Sequence, residues 1–209
     1  MTILSLLVIL FPLTVGFHDK PTGALATWAC QPEQWVGTPV LQDGLFMAEM
    51  AADCRITASI GSDLSLLERR LTEEAIHVET VHSGPTPGSF QGLDGVRFDV
   101  TVKDSISDMR LRKDLFIVSN RVDRLIYASI SKEISGSGSA ALVKKLDVVL
   151  DITAQTTPGA FDVRMTDSLH LKRPWYAPNA KFKTEAMKAG REQFLKYMSA
   201  VMPALAAYH

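Results

Sequence analysis

Ala140–Gln155 reads AALVKKLDVVLDITAQ, and the period assigned to it decides the architecture. With period two, Leu146, Val148, Leu150 and Ile152 form an apolar face opposite Lys145, Asp147, Asp151 and Thr153. With period 3.6, Leu142, Val143, Leu146, Val149 and Leu150 form a helical stripe that Ser139 would cap. The Val and Ile content favours the strand, as does TTPG at Thr156–Gly159, which reads as a turn into AFDVRMTDSLHL. The strand reading is adopted here, and the helical one stays open.

Upstream, VRFDVTVKD alternates cleanly: Val96, Phe98, Val100 and Val102 point one way, Arg97, Asp99, Thr101 and Lys103 the other. MRLRKDLFIVS and RLIYASISKEI follow, joined by NRVD, and read as two arms of a hairpin. Connections this short make the pairing antiparallel, because a parallel crossover needs a much longer link. HVETVHSGPTPGSFQGLDG reads as a short strand followed by a loop of prolines and glycines. LFMAEMAADCRIT, Leu45–Thr57, reads as the first strand, and QPEQWVGTPVLQDG before it as an irregular lead-in. Between them, GSDLSLLERRLTEEAIH changes to a helical period at Leu64, Leu67, Leu71 and Ala75, with Ser62 or Asp63 as cap. Arg69 with Glu73 and Arg70 with Glu74 stand four apart on its wet side.

Downstream, Lys181–Ala207 carries Met187, Gly190, Phe194, Tyr197, Met198, Val201 and Leu205 at three- and four-residue steps, one long amphipathic helix. It would be on the order of 40 Å long, close to the reach of an eleven-residue strand, and so can lie along a whole sheet. Pro203 should loosen its last turn. RPWYAPNAKF, Arg173–Phe182, is the corner between last strand and helix: Pro174 and Pro178 cannot donate to a ladder and hold the residue before them extended. Trp175 and Tyr176 would cover the mouth between sheet and helix, or stand there as ordinary turn aromatics.

At 209 residues and 46% hydrophobic side chains the chain suits one domain, residues 27–209, behind an N-terminal apolar segment, residues 1–26. The run Ile3–Leu13 is too short to cross a membrane and suits an export signal, with cleavage after Gly16 or Ala26, although no lysine or arginine precedes it. The alternative is a buried first strand or helix. A net charge of −1 gives no whole-protein attraction to nucleic acid. The cysteines are Cys30 and Cys54, an even pair that suggests one disulfide in an exported chain, worth roughly 3 kcal/mol on the chain-entropy model. No CxxC or HExxH occurs, so no metal site, catalytic set or cofactor is expected.

The order strand, helix, antiparallel strands and long C-terminal helix, with SLHLKRPWYAP before that helix, resembles the START-like (helix-grip, SRPBCC) superfamily. The resemblance implies an α+β fold: a curved antiparallel sheet of about six to seven strands around the last helix, with a ligand cavity between them. A PsbP-like α/β/α sandwich is the alternative if Ala140–Gln155 is helical.

Met187 and Met198 lie on the inward stripe of the last helix, and methionine adapts to irregular apolar shapes. With Phe98, Phe116, Tyr127, Phe194 and the corner pair Trp175 and Tyr176 they are candidate ligand contacts, or simply core. The function expected is an exported, non-enzymatic carrier of a small hydrophobic or lipid-like molecule. A cyclase- or hydrolase-like enzyme on the same scaffold would need a polar group such as His170 or Arg97 in the cavity. An envelope assembly module would have no pocket. The basic C-terminal region (Lys172, Arg173, Lys181, Lys183, Lys188, Arg191 and Lys196) would allow peripheral contact with an anionic membrane.

Overall fold

The computed structural model describes residues 27–57, 64–75, 80–103, 109–138 and 140–206. The apolar segment 1–26, the capping residues Ser62, Asp63 and Ser139, and the side chains of Arg70, Glu73 and Glu74 lie outside the described residues.

In chain order the elements are β1 (Thr27–Cys30), β2 (Gln34–Trp35), β3 (Val40–Gln42), β4 (Leu45–Thr57), α1 (Leu64–Ala75), β5 (Thr80–Phe90) and β6 (Leu93–Lys103). They continue with β7 (Arg110–Ser119), β8 (Arg124–Ser135), β9 (Val143–Ala154), β10 (Ala160–Lys172) and α2 (Asn179–Ala206). Ala140–Gln155 is thus a strand, introduced by a 3-10 turn at Ala140–Leu142, and the sandwich alternative falls.

The strands form one sheet in the order β1, β4, β10, β9, β8, β7, β6, β5, and its pairings are antiparallel. The sheet has ten strands, more than the six to seven expected: seven long ones, β4 to β10, and the short β1, β2 and β3. β2 and β3 fall in the stretch read as an irregular lead-in, and β1 just before it. Each pairs with β4, whose outer edge would otherwise present unpaired amides and carbonyls to solvent. A tight turn at Asp43–Gly44, both residues with positive φ, joins β3 to β4 and matches the twist of the flanking strands.

β5 is the second departure from expectation. The stretch read as a proline–glycine loop is an eleven-residue strand with Pro85 and Pro87 inside it. It is possible because β5 is the far edge strand, where a missing amide breaks no second ladder, and the pairing with β6 shifts register twice. Gly84 takes φ +122°, and a Cβ there would come within 2.8 Å of the Phe98 ring, so only glycine lets β5 approach β6 so closely. The Gly84–Pro85 peptide bond is cis.

The concave side of the sheet holds α1 and α2. α2 buries Phe182, Ala186, Gly190, Gln193, Phe194, Tyr197, Met198, Val201, Met202 and Leu205, and continues through Pro203 to Ala206. Two apolar clusters fill the space beneath it. The larger joins Phe194, Tyr197, Met198, Val201 and Met202 to Met50, Phe98, Leu115, Val148 and Met165, together with Leu64, Leu67 and Leu71 of α1. The smaller joins Phe182 and Ala186 to Phe46, Ala48, Leu111, Leu146, Leu169 and Leu171. A third group, Val118, Ile126 and Ala128 with Phe90 and Phe116 against them, lies on the convex side.

Cys30 and Cys54 are direct cross-strand neighbours of β1 and β4 and form a disulfide, with Cα atoms 3.9 Å apart. The corner works as the two prolines suggested. The Arg173 amide closes on Gly44, the Ala177 amide on Pro174 and the Phe182 amide on Pro178. The Arg173 guanidinium donates to the carbonyls of Pro174 and Ala177, holding the turn from within.

Candidate functional site

The candidate ligand residues separate by face. Phe98, Tyr127, Phe194 and Met198 come together in the larger concave cluster. Met187 packs against the smaller one. Phe116 does not join them, because strand alternation turns it to the convex side, where it meets Phe90 (ring centroids 5.4 Å apart) and lies under the Arg97 guanidinium at 5.9 Å. Trp175 and Tyr176 stand out into solvent at the corner, 90% and 66% exposed, edge to face with each other. They therefore supply no buried wall. The two polar groups weighed for an enzyme, Arg97 and His170, also sit on the convex side. Arg97 makes a bidentate pair with Asp114 at 2.8 and 2.9 Å, and His170 alternates with the buried Leu169 and Leu171.

An apolar cleft of about 560 Å³ opens between α1 and the β5–β6 edge. Its floor is Phe98, Val96 and Pro85. One wall is the side of α1 that carries Ser65, Glu68, Arg69 and Thr72, and Arg121 closes one end. Glu68 is held at the rim by the Ser119 hydroxyl, which donates to its carboxylate at 2.6 Å. A helix face with small and polar residues over an aromatic floor leaves room that leucines would fill. A larger depression of about 700 Å³ beside β1 is lined by charges that satisfy one another, Arg55 with Asp162 and Arg164 with Asp53.

Deeper on the concave side lies a group of polar residues that the apolar stripe of α2 gives no hint of. Lys113 is fully buried and donates to the Ser129 hydroxyl at 3.1 Å; Asp167, Ser129 and Gln193 are buried with it. Burial lowers the Lys113 ammonium to about 7, against the opposing pull of Asp167 and Asp147, and raises the Asp167 carboxyl to about 7 despite Lys113 nearby. The Tyr197 phenol is raised as well, by burial first and then by Tyr127 and Asp167. The sequence does carry the signal. Along β7 the inward positions are Leu111, Lys113, Leu115 and Ile117, and along β10 Phe161, Val163, Met165, Asp167, Leu169 and Leu171. One charge interrupts each apolar row.

The convex side holds the opposite arrangement. Asp99 accepts from Arg112 at 2.8 and 2.9 Å and from Lys132 at 3.1 Å, and these partners hold its carboxyl well below the usual range despite partial burial. Among the described residues no cluster of His, Cys, Asp or Glu has the arrangement of a metal site.

The curved antiparallel sheet and the long C-terminal helix packed against it give a START-like, helix-grip fold. Distant likenesses accompany it. A START superfamily protein from Mycobacterium smegmatis matches over 76% of this chain and 98% of its own, at 10% identity and a TM-score of 0.38. The lipid transfer and protein localization domain of human StarD13 (DLC2) matches over 69% of this chain and 78% of its own, at 11% identity and a TM-score of 0.31. No protein-family model and no curated protein matches the chain.

Proposed function

We propose that this chain is an exported, non-enzymatic binding or carrier protein for a small hydrophobic molecule, taken up through the cleft between α1 and the β5–β6 edge. The observation that carries the reading is the cleft itself. Its volume of about 560 Å³ falls within the roughly 300–1,000 Å³ of small-molecule sites, and its floor is aromatic and aliphatic with polar groups confined to the rim. Phe98, the one early candidate on that floor, also belongs to the larger concave cluster, which holds its ring in place. Export is supported by the apolar run Ile3–Leu13 and by the Cys30–Cys54 bond, which persists in oxidising compartments. No described helix is long and apolar enough to cross a membrane.

Native mass spectrometry of protein purified without detergent should show a copurifying apolar species. Thr72→Trp, which fills the cleft from α1, should abolish that species and weaken phenylnaphthylamine binding about tenfold while leaving the fold intact. Unchanged probe binding in a folded Thr72→Trp protein would remove the cleft from consideration.

Delivery at an anionic membrane is a companion proposal, favoured by the exposure of Trp175 and Tyr176 beside Lys172 and Lys181. Amphipathic aromatics flanked by lysines suit the interfacial layer of a bilayer. Cosedimentation with phosphatidylserine vesicles should fall in Trp175→Ala and vanish at high salt.

A further inference from the structure

The turn between β7 and β8 carries an arginine where the backbone favours glycine. Arg121 has φ +61°, in the left-handed region that residues other than glycine and asparagine seldom occupy. The turn is fixed around it. The Asn120 side-chain carbonyl accepts from the amides of Val122, Asp123 and Arg124 at 3.1, 3.1 and 2.9 Å, and the Asn120 side-chain amide donates to the Asp123 carboxylate. Glycine would take the same conformation without steric cost, so the position keeps an arginine side chain against a backbone preference. That side chain is the one that closes the end of the cleft beside α1.

The neighbouring polar groups are already committed. On the cleft wall the Glu68 carboxylate accepts from Ser119, and the Thr72 hydroxyl turns back to donate to the Glu68 carbonyl at 2.8 Å. In the turn, Asp123 is held by Asn120, and Arg124 pairs with Asp151 through two hydrogen bonds. Arg121 itself has no hydrogen-bond or ion-pair partner among the described residues. The cleft lining holds two arginines, Arg69 and Arg121, and one glutamate, a net charge of +1 (2 − 1). An apolar floor of Phe98, Val96 and Pro85 therefore ends at a guanidinium whose donors the protein does not use. A neutral apolar molecule gains nothing from that charge, and a cation is repelled by it.

We propose that the cleft takes a single-chain amphiphile with a carboxylate head: the chain lies on Phe98, Val96 and Pro85, and the carboxylate pairs with the Arg121 guanidinium. The planar fork of arginine matches a carboxylate with two parallel hydrogen bonds, which a lysine ammonium does not reproduce. Low-dielectric walls strengthen the attraction relative to an open surface. A head group at the end of the cleft keeps its outer side in water, so the full cost of burying a charge is avoided. This inference rests on the cleft-binding reading above and adds the chemical class of its ligand.

The test displaces phenylnaphthylamine from the full chain with dodecanoate, dodecanol and dodecyltrimethylammonium. Each is kept below the concentration at which it self-associates, at mildly alkaline pH, where the carboxyl is ionised. Dodecanoate should bind about tenfold tighter than dodecanol, the ammonium should bind more weakly than either, and added salt should shrink the difference. Arg121→Gly and Arg121→Asn both suit the left-handed backbone, so they should fold normally. They should bring the dodecanoate-to-dodecanol ratio toward one without weakening dodecanol, whereas Arg121→Lys should retain part of the preference. Wild-type protein that binds dodecanoate and dodecanol equally, or prefers the ammonium, would overturn the inference while the cleft survives. A ratio unchanged in Arg121→Gly would overturn it too, as would undiminished dodecanoate binding by folded Thr72→Trp protein. Failure of all three compounds to displace the probe would overturn both this inference and the cleft-binding reading.

Discussion

Arg112 and Lys113 are adjacent in β7, yet they sit in opposite electrostatic worlds. On the convex side, Arg112 reaches Asp99 with two hydrogen bonds in partial solvent, and both groups are held charged. On the concave side, Lys113 and Asp167 are removed from water, and burial pushes each toward its neutral form. A strand places successive side chains on opposite faces, so one residue of sequence separates a solvated ion-pair lattice from a polar belt inside a core. The lesson concerns purpose as well as energy. The convex pairs keep the outer face of the sheet soluble, whereas a buried acid–base pair is an expensive way to build a core and points to something it serves.

The sharpest way to break this comparison is Lys113→Ala. It leaves Asp167 buried beside no cation and should lower stability by about 3–5 kcal/mol in urea unfolding. The double variant Lys113→Met with Asp167→Leu should recover most of that loss, because two apolar side chains need no partners. If the single variant is as stable as the wild type, the belt is not the desolvated pair described.

A smaller effect lies in the pH dependence. Asp167 titrates near 3.8 when unfolded and near 7 when folded, so the folded state binds more protons between those values and stability falls as pH rises through them. Lys113, lowered from 10.5 to about 7, acts in the other direction: there the unfolded state binds more protons, and stability recovers as pH rises above 7. Denaturant midpoints should therefore dip near neutrality. Asp167→Asn should remove the acid limb of that dip. Asp99 has the reverse sign: its lowered carboxyl contributes above its unfolded value and is lost only as the solution becomes strongly acid. The smallest effect belongs to the convex side, where Arg112→Ala should move the midpoint far less than Lys113→Ala, and less still at high salt, since exposed pairs are screened. A loss as large as that of Lys113→Ala would erase the distinction between the two faces.

Much of the architecture was legible because burial on one face imposes a period. Val96, Phe98, Val100 and Val102 announce β6, and the α2 stripe announces a helix long enough to span the sheet. Ala140–Gln155 fitted both periods, and its strand was settled by partners on both sides, β8 and β10, which no local pattern reveals. β5 was hidden because its prolines are tolerable only at an edge, and edge status belongs to the whole sheet. Of the candidate ligand contacts, Phe98, Tyr127, Phe194 and Met198 share the larger concave cluster, whereas Phe116 lies on the convex side, a separation that only the sheet's register decides. Lys113 and Asp167 were readable as interruptions of two apolar rows, but each alone resembles a register slip.

From its residues alone, then, this protein has an element order, a compartment-sensitive cysteine pair, a proline corner and a terminal amphipathic helix, because local sterics and hydrophobic period act over a few residues. Only the tertiary structure decides which strands become neighbours, and hence that β7 and β10 bring a lysine and an aspartate to one seam beneath α2. Those two lie 54 positions apart in sequence (167 − 113), and electrostatic coupling across a core depends on distance in space.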